Sequence, residues 1–422
     1  MPLSIALACL LVTGALAGDG PFGLADDALA VNPGLASLDA RVRELEALAS
    51  TADAWPDPMA ALEYSNVPTT SWALDGHPMA GLQLKAQQTI PFPGVSSLRA
   101  EVAESRVEVA EAELAEARLR LVRAVEESWW RLVLVRQLRQ ITREHVALTE
   151  DLVGAVRARY EIGAAGQHAL VRLELLRDEL RDSLLDFDRQ EQQIEGALAA
   201  AAHRRSLDDL TTPDTVAART LRPDDGVEAW LVLAEQRRPA LAQLEAMERS
   251  AELRARLARR DAKPDLTVWA GYRVRTVQTA TDPGTDLASL GLSVPLTIQS
   301  ARVGRGAESA ALEAASQARW QREAQLDAIH ADLISAWAAW QRAEGKAQTY
   351  TDRLLPAGQQ ALATTLADYR VDKADFASLY QAEVQLLNLE RARLAAVVET
   401  HLQQAAVRAI TGDTTRPTGA DR

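Results

Sequence analysis

The sequence predicts a mainly α-helical fold in which duplicated long coiled-coil hairpins are combined with four short β-strands. From Ser96 to Ile162 the chain contains no proline, and its apolar residues recur at steps of three and four, which is typical of a coiled-coil helix. About 67 helical residues make a rod of roughly 100 Å, longer than a compact globular domain requires. Four shorter stretches alternate apolar and polar residues, as half-buried strands do. The order helix, strand, strand, long helix, tight turn and helix occurs twice, which indicates a duplicated fold.

Residues 1–17 are predicted to be a secretory signal peptide. The segment is apolar and ends in Ala15-Leu16-Ala17, a pattern of small residues typical of a cleavage site. The only cysteine, Cys9, lies inside it, so cleavage leaves no disulfide and no thiolate metal ligand; lipidation of Cys9 is the alternative. After residue 17 no apolar run reaches the length of a membrane-spanning helix. The net charge of −13 argues against nucleic-acid binding, which requires a basic surface.

The first repeat is expected to cover residues 18–204. It opens with a Gly- and Asp-rich stretch, 18–30, which we expect to be extended. The elements that follow are a helix from Asn32 to Ala52, strands Met59–Val67 and Met79–Ile90, the long helix, and a return helix Gln167–Arg204.

The second repeat is expected to cover residues 226–411, after an irregular linker of residues 205–225 rich in Asp, Thr and Pro. Its elements are a helix Gly226–Ala262, strands Leu266–Val274 and Leu287–Leu296, a long helix Ser300–Val371, and a return helix that ends near Thr411. Residues 412–422 are polar and predicted to be a disordered tail.

The repeat is also visible in individual residues. Three anchors recur in the same order and at matching spacing: Tyr160, Leu170 and Glu174 with Tyr369, Leu379 and Glu383; Pro91 and Ala103-Glu104-Ser105 with Pro295 and Ala307-Glu308-Ser309; and Pro56-Asp57 with Pro264-Asp265. Four strands are too few to close a barrel, and open strand edges are not tolerated in lipid. A membrane location therefore requires an oligomer, in which two chains supply eight strands and three supply twelve.

Several segments together resemble the TolC-like outer-membrane efflux channel family over nearly the whole mature chain. They are Asn32-Pro33-Gly34-Leu35, Pro56-Asp57-Pro58, Asn66-Val67-Pro68, Gln88-Thr89-Ile90-Pro91-Phe92-Pro93-Gly94, Arg159-Tyr160 with Gly163, and Leu292-Ser293-Val294-Pro295-Leu296. The first-half pattern is most similar to the heavy-metal-cation (CzcC/CusC-type) branch, although Val95 stands where that branch often has a basic residue. The resemblance implies a homotrimer with a 12-strand barrel in the outer membrane and a helical tube in the periplasm. It also implies a periplasmic adaptor and an inner-membrane pump as partners.

The resemblance places the candidate site at the two helix-turn tips, residues 159–168 and 369–376. Asp372 and Asp375 are candidates for a periplasmic gate, since one residue per chain repeated around an axis forms an acidic ring; the simpler alternative is that Asp375 caps the next helix. The turn and adaptor-contact candidates are Arg159, Tyr160, Gly163, Gly166 and Tyr369, and helix packing explains Arg159 and Tyr160 nearly as well. Pro91, Pro93 and Pro295 mark the strand-to-helix transitions.

No enzyme motif, cofactor motif or metal-ligand pattern is present in the sequence. The six histidines are scattered, and His145 falls on the apolar stripe, where we expect it to be packed. Four tryptophans are expected in helix packing (Trp129, Trp130, Trp337 and Trp340), and three strand aromatics are candidates for an aromatic girdle (Tyr64, Trp269 and Tyr272).

The sequence therefore predicts an outer-membrane exit duct of a tripartite efflux system, with heavy-metal cations as one candidate cargo. The alternative is a soluble periplasmic coiled-coil interaction protein whose strands form a small packed sheet. A periplasmic adaptor is a third option, but it would have one helical hairpin where this chain has two.

Overall fold

A computed structural model describes residues 20–70, 72–74, 77–207, 210–219, 227–275 and 284–413. The predicted signal peptide lies outside these residues. So do residues 208–209 and 220–225 of the predicted linker and residues 414–422 of the predicted tail. Among the described residues, no helix combines the length and the apolar character needed to cross a bilayer.

The helices account for most of the described chain. They are α1 (Gly20–Val31), α2 (Pro33–Ala49), α3 (Val95–Glu161), α4 (Gln167–Ala201), α5 (Val227–Arg237), α6 (Pro239–Asp261), α7 (Ser300–Thr349), α8 (Leu355–Arg370) and α9 (Phe376–Thr411). The 67 residues of α3 are unbroken, as the run of helix-forming residues predicts.

Four strands form one antiparallel sheet in the order β1-β2-β3-β4, with β1 (Met59–Ser65), β2 (Gly81–Ile90), β3 (Leu266–Val274) and β4 (Leu287–Ser293). Each repeat contributes one neighbouring pair, and β2 joins the pairs by its contact with β3, where Leu84 is opposite Tyr272. Three strands are shorter than predicted. β1 stops before Asn66, whose φ is +59°, and β4 stops before Pro295, which cannot donate to a ladder. β2 begins at Gly81 instead of Met79, because the Ala80 N–H donates to the His77 carbonyl in a turn.

The N-terminal stretch corrects one prediction. Of the stretch 18–30, expected to be extended, the described residues 20–30 belong to the helix α1 (Gly20–Val31). Leu24, Ala25 and Ala28 are buried in a cluster with Trp129 of α3 and Leu198 of α4. Burial of this apolar side compensates for the poor helix propensity of the glycines, so tertiary packing decides the conformation.

Two long helices predicted as continuous are interrupted. The helix expected over 226–262 is divided into α5 and α6 at Pro239, because proline lacks a backbone N–H and restricts the residue before it. The second long helix contains a π-helical turn, Tyr350–Leu354, followed by Pro356 in the first turn of α8.

The chain divides into two compact units, and each takes segments from both sequence repeats. One unit contains the described parts of residues 20–36, 115–238 and 326–413; the other contains the described parts of 37–114 and 239–325. In the first unit Trp129 and Trp340 are buried, Trp130 stacks on His401 with ring centroids 3.7 Å apart, and Trp337 stacks on Trp340 at 4.9 Å. The packing role expected for these tryptophans is confirmed.

Candidate functional site: the hairpin tips and the two faces of the sheet

The first hairpin tip is closed by a glycine in the left-handed conformation. Gly163 has φ +76°, and the N–H of Ala164 donates to the carbonyl of Arg159 at 2.8 Å. A second bond runs from the Gly163 N–H to the Tyr160 carbonyl at 2.9 Å, which satisfies the last carbonyls of α3. Gly166 is the residue that precedes α4 and has extended backbone angles.

The second tip uses the same backbone pattern with a different residue. Asp372 stands in the left-handed position, with φ +64°, and the Lys373 N–H donates to the Asp368 carbonyl at 2.8 Å. Asp372 corresponds to Gly163 when the repeats are aligned on Tyr160 and Tyr369. Non-glycine residues adopt this conformation at a cost, and aspartate is among those that tolerate it best.

The Asp372 side chain, which has no counterpart in Gly163, makes a contact between the two tips. Arg159 of α3 donates one guanidinium N–H to the Asp372 carboxylate and another to the Tyr369 carbonyl. Its guanidinium also lies over the Tyr369 ring, 4.7 Å from the centroid. The sequence by itself does not link Arg159 to Tyr369 and Asp372, because the arginine is more than 200 positions from both.

The two tip tyrosines have different environments despite their equivalent positions. Tyr369 is buried in a cluster that draws on α3, α4, α8 and α9, including Leu173 and Leu379, whereas Tyr160 is exposed. Burial raises the pKa of Tyr369; the Arg159 charge opposes that rise and the Asp372 charge adds to it. The Tyr369 hydroxyl has no hydrogen-bond partner among the described residues.

Asp375 caps α9. Its carboxylate accepts the backbone N–H of Ser378 at 2.9 Å, and its backbone is extended, as an N-cap requires. Hydrogen bonding by Ser378 lowers the pKa of this carboxyl group. The carboxylate remains exposed, so capping leaves it accessible to solvent.

A buried charged triad lies in the same unit. His145 of α3 contacts Glu383 through Nδ1 at 2.6 Å and Glu390 through Nε2 at 3.0 Å. Burial opposes protonation of the imidazole, but the two carboxylates outweigh it and raise the pKa of His145 to about 9. The expectation that His145 is packed is confirmed, since it is 3% exposed. The seven-residue spacing of the two glutamates, which places both on one helix face, was the available signal for its partners.

The sheet has one apolar and one polar face, and the apolar face is the more exposed. The residues of the apolar face are Ala60, Leu62, Tyr64, Leu82, Leu84, Ala86, Ile90, Leu266, Val268, Ala270, Tyr272, Val274, Ala288, Leu290 and Leu292, and Gln88 is the one polar residue among them. Leu62 is 68% exposed and Leu290 is 85% exposed, whereas Gln83 of the polar face is 8% exposed. A sheet in water normally covers its apolar face, so this one requires an apolar environment or partner.

The register corrects the predicted aromatic girdle. Tyr64 and Tyr272 lie on the apolar face near one end of the sheet, but Trp269 lies on the polar face. Successive strand residues point to opposite sides, so Trp269 cannot share a face with Tyr272. Its ring is 4.7 Å from the Lys85 ammonium.

The prolines named from the sequence lie between strands and helices. Pro91 and Pro93 separate β2 from α3, with Gly94 at φ +81° before the helix begins. Asp265 accepts the Phe92 N–H at 2.8 Å, and Arg260 donates to the Pro93 carbonyl at 2.7 Å. Pro295 lies between β4 and α7.

Within the described ranges, no three His, Cys, Asp or Glu side chains are arranged to hold a metal ion.

Comparison with known proteins finds a family model that matches the first part of the chain. Residues 24–202 match the family model of the outer membrane efflux proteins. No curated protein matches the sequence.

Solved outer-membrane channels share the fold over nearly the whole chain. The outer-membrane channel OprN is 17% identical, with a TM-score of 0.78 over 93% of this chain and 90% of its own. VceC of Vibrio cholerae is 18% identical, with a TM-score of 0.76 over 93% of this chain and 96% of its own. CusC, whose structures concern folding and transmembrane channel formation, is 16% identical, with a TM-score of 0.75 over 94% and 92%. The predicted fold of long helices with four antiparallel strands is confirmed.

Proposed function

We propose that this protein is an outer-membrane exit duct of a tripartite efflux system and has no enzymatic activity. The observation that carries the proposal is the sheet with an exposed apolar face and two strands, β1 and β4, that pair on one side only within the described residues. Lipid would cover the apolar face, and neighbouring copies would pair with the edge strands. The family match to residues 24–202 and the shared fold support the same function.

The resemblance to the efflux channel family implies a homotrimer, in which four strands from each chain make a shared 12-strand barrel. The partners are then a periplasmic adaptor and an inner-membrane pump that supplies the energy. Passage through the duct is passive in this proposal, since no site for nucleotide or cofactor chemistry is evident in the sequence.

The two tips would form the periplasmic gate. Arg159 holds the α8–α9 turn through Asp372 and the Tyr369 carbonyl, so it ties one hairpin to the other. The Asp372 side chain is 83% exposed, and an ion pair of this kind contributes at most about 1 kcal/mol. An ion pair this weak could be broken when a partner protein binds, and the two tips could then separate. Tyr160, Gly163 and the exposed carboxylate of Asp375 are the other candidates for adaptor contact or ion selection.

Heavy-metal cations remain a proposed cargo. Support comes from the resemblance of the first-half segments, from Pro56-Asp57-Pro58 to Pro93-Gly94. A cargo assignment is tested by deleting the gene and measuring sensitivity to zinc, copper and a panel of small drugs.

The membrane assignment is tested with two arginine substitutions on opposite faces of β2. Leu84→Arg places a charge on the apolar face, where it costs about 2–4 kcal/mol at the middle of a bilayer. Gln87→Arg, three residues further on and on the polar face, is the matched control. We expect wild type and Gln87→Arg to fractionate with the outer membrane as detergent-resistant trimers, and Leu84→Arg to be depleted from that fraction. A soluble periplasmic monomer or dimer for the wild type would refute the duct and favour the coiled-coil interaction protein.

A further inference from the structure

The polar face of the sheet carries more positive than negative charge. Its charged side chains on the four strands are Lys85 of β2, Arg273 of β3 and Glu63 of β1. Arg273 is opposite Gln83, and Gln83 is opposite Glu63, so a neutral residue separates the two opposite charges.

Lys85 is positioned by an aromatic ring. Its ammonium lies 4.7 Å from the centroid of the Trp269 ring. The indole in turn lies against the backbone of β4, because a Cβ added at Gly291 would stand 2.4 Å from it. The ring supports the ammonium without neutralising its charge, and Lys85 has no carboxylate partner among the described residues.

Arg273 also keeps its full charge. Its guanidinium donates to the Gln83 side-chain oxygen at 2.6 and 3.2 Å and to the Met79 carbonyl at 3.3 Å. All three contacts use neutral acceptors. These hydrogen bonds fix the guanidinium on the polar face, and because no acceptor is charged, its positive charge can act on ions close to that face.

We propose that this polar face is an anion-selecting surface in the exit end of the duct, with Lys85 and Arg273 as its specificity-determining residues. The inference rests on the proposed function, in which the face opposite the lipid lines the pore. Each chain contributes two cations and one carboxylate, so symmetry multiplies the excess positive charge around the axis. Solutes that leave as anions are favoured and free metal cations are disfavoured, so the heavy metals proposed above as cargo would leave as anionic complexes.

The test is the reversal potential of the purified protein in planar bilayers across a potassium chloride gradient. Lys85→Gln and Arg273→Gln each remove one positive charge per chain, and Glu63→Gln is the matched control of opposite sign. A unit charge about 8 Å from an ion in water changes the local ion concentration roughly twofold. The change has opposite sign for chloride and potassium, so we expect the ratio of chloride to potassium permeability to fall by about fourfold in each cation variant and to rise in Glu63→Gln. Arg273→Lys retains the charge, and it should retain the wild-type ratio even though its contacts with Gln83 change.

The possible outcomes separate this inference from the proposed function. A conducting channel whose permeability ratio is unchanged in Lys85→Gln and Arg273→Gln overturns the anion-selecting surface and leaves the duct intact. An equal change in Arg273→Gln and Arg273→Lys also overturns it, because the effect then follows packing and not charge. A wild-type protein that forms trimers in the membrane but never conducts overturns both proposals.

Discussion

The His145–Glu383–Glu390 triad predicts a specific loss of stability at alkaline pH. The pKa of His145 is raised from 6.5 to about 9 in the folded chain, so the folded state holds a proton that the unfolded chain releases. The contribution is complete below about pH 6.5 and is lost as the pH rises through about 9. A difference of about 2.5 pKa units corresponds to roughly 3 kcal/mol.

Thermal unfolding followed by circular dichroism in detergent measures this contribution. For about 400 residues, 3 kcal/mol corresponds to a change in Tm on the order of 4 °C. We expect the Tm of the wild type to fall by about 4 °C between about pH 6 and pH 10 because of this site, and the Tm of His145→Gln to fall by correspondingly less. His330→Gln, which changes an exposed histidine of α7, is the control and should follow the wild type.

The variants must also be compared at a single pH. His145→Gln leaves Glu383 buried at 1% exposure without its cation, a change that costs about 3–5 kcal/mol. Glu390→Gln is milder because the Glu390 side chain is 22% exposed, and it should reduce the alkaline loss without disrupting the fold. If His145→Gln and wild type show the same alkaline decrease in Tm, the triad does not hold a proton and the reasoning is refuted.

Three further predictions concern the hairpin tips. Gly163→Ala should destabilise the first tip by about 1–2 kcal/mol, because residue 163 has a positive φ. Gly154→Ala, within α3 and equally unobstructed, should instead stabilise the helix by about 0.5–1 kcal/mol. Amide exchange of residues 155–170 should become faster in the first variant and slower in the second, and equal effects would contradict the backbone argument. Asp375→Ala should cost about 1 kcal/mol in the first turn of α9 and Asp375→Asn much less, measured by the same exchange; equal losses would show that charge and not capping matters. Tyr369→Phe should leave Tm unchanged or raise it slightly, because the buried hydroxyl has no partner among the described residues, and a loss above about 1 kcal/mol would reveal a missing hydrogen bond.

Local patterns in the sequence were sufficient to predict most secondary structure. The unbroken apolar stripe predicted α3 within a residue or two, and alternation predicted both faces of β2. Gly163 predicted its turn because a left-handed residue has a recognisable signature. Each of these features depends on residues within a few positions of one another.

Equivalent sequence positions did not predict equivalent environments. Glu174 and Glu383 match in the two repeats, yet Glu174 forms a partly exposed pair with Arg157 at 3.0 Å and Glu383 is buried against His145. Asp372 replaces a turn glycine, and its carboxylate accepts a hydrogen bond from Arg159, a contact that the glycine at the first tip has no side chain to make. Aligning the two repeats does not predict such differences, because different helices surround the equivalent positions in each repeat.

The sequence by itself determined the long helices, the four strands, the turns between them and the family that the chain resembles. Only the tertiary structure decided that residues 20–31 are helical, that β2 pairs with β3, and that the apolar side of the sheet is its exposed side. The physical reason is separation along the chain. Periodicity and turn propensity act over a few residues, whereas strand order, buried charge pairs and the choice of exposed face arise from contacts between segments more than 150 residues apart, which a local pattern does not encode.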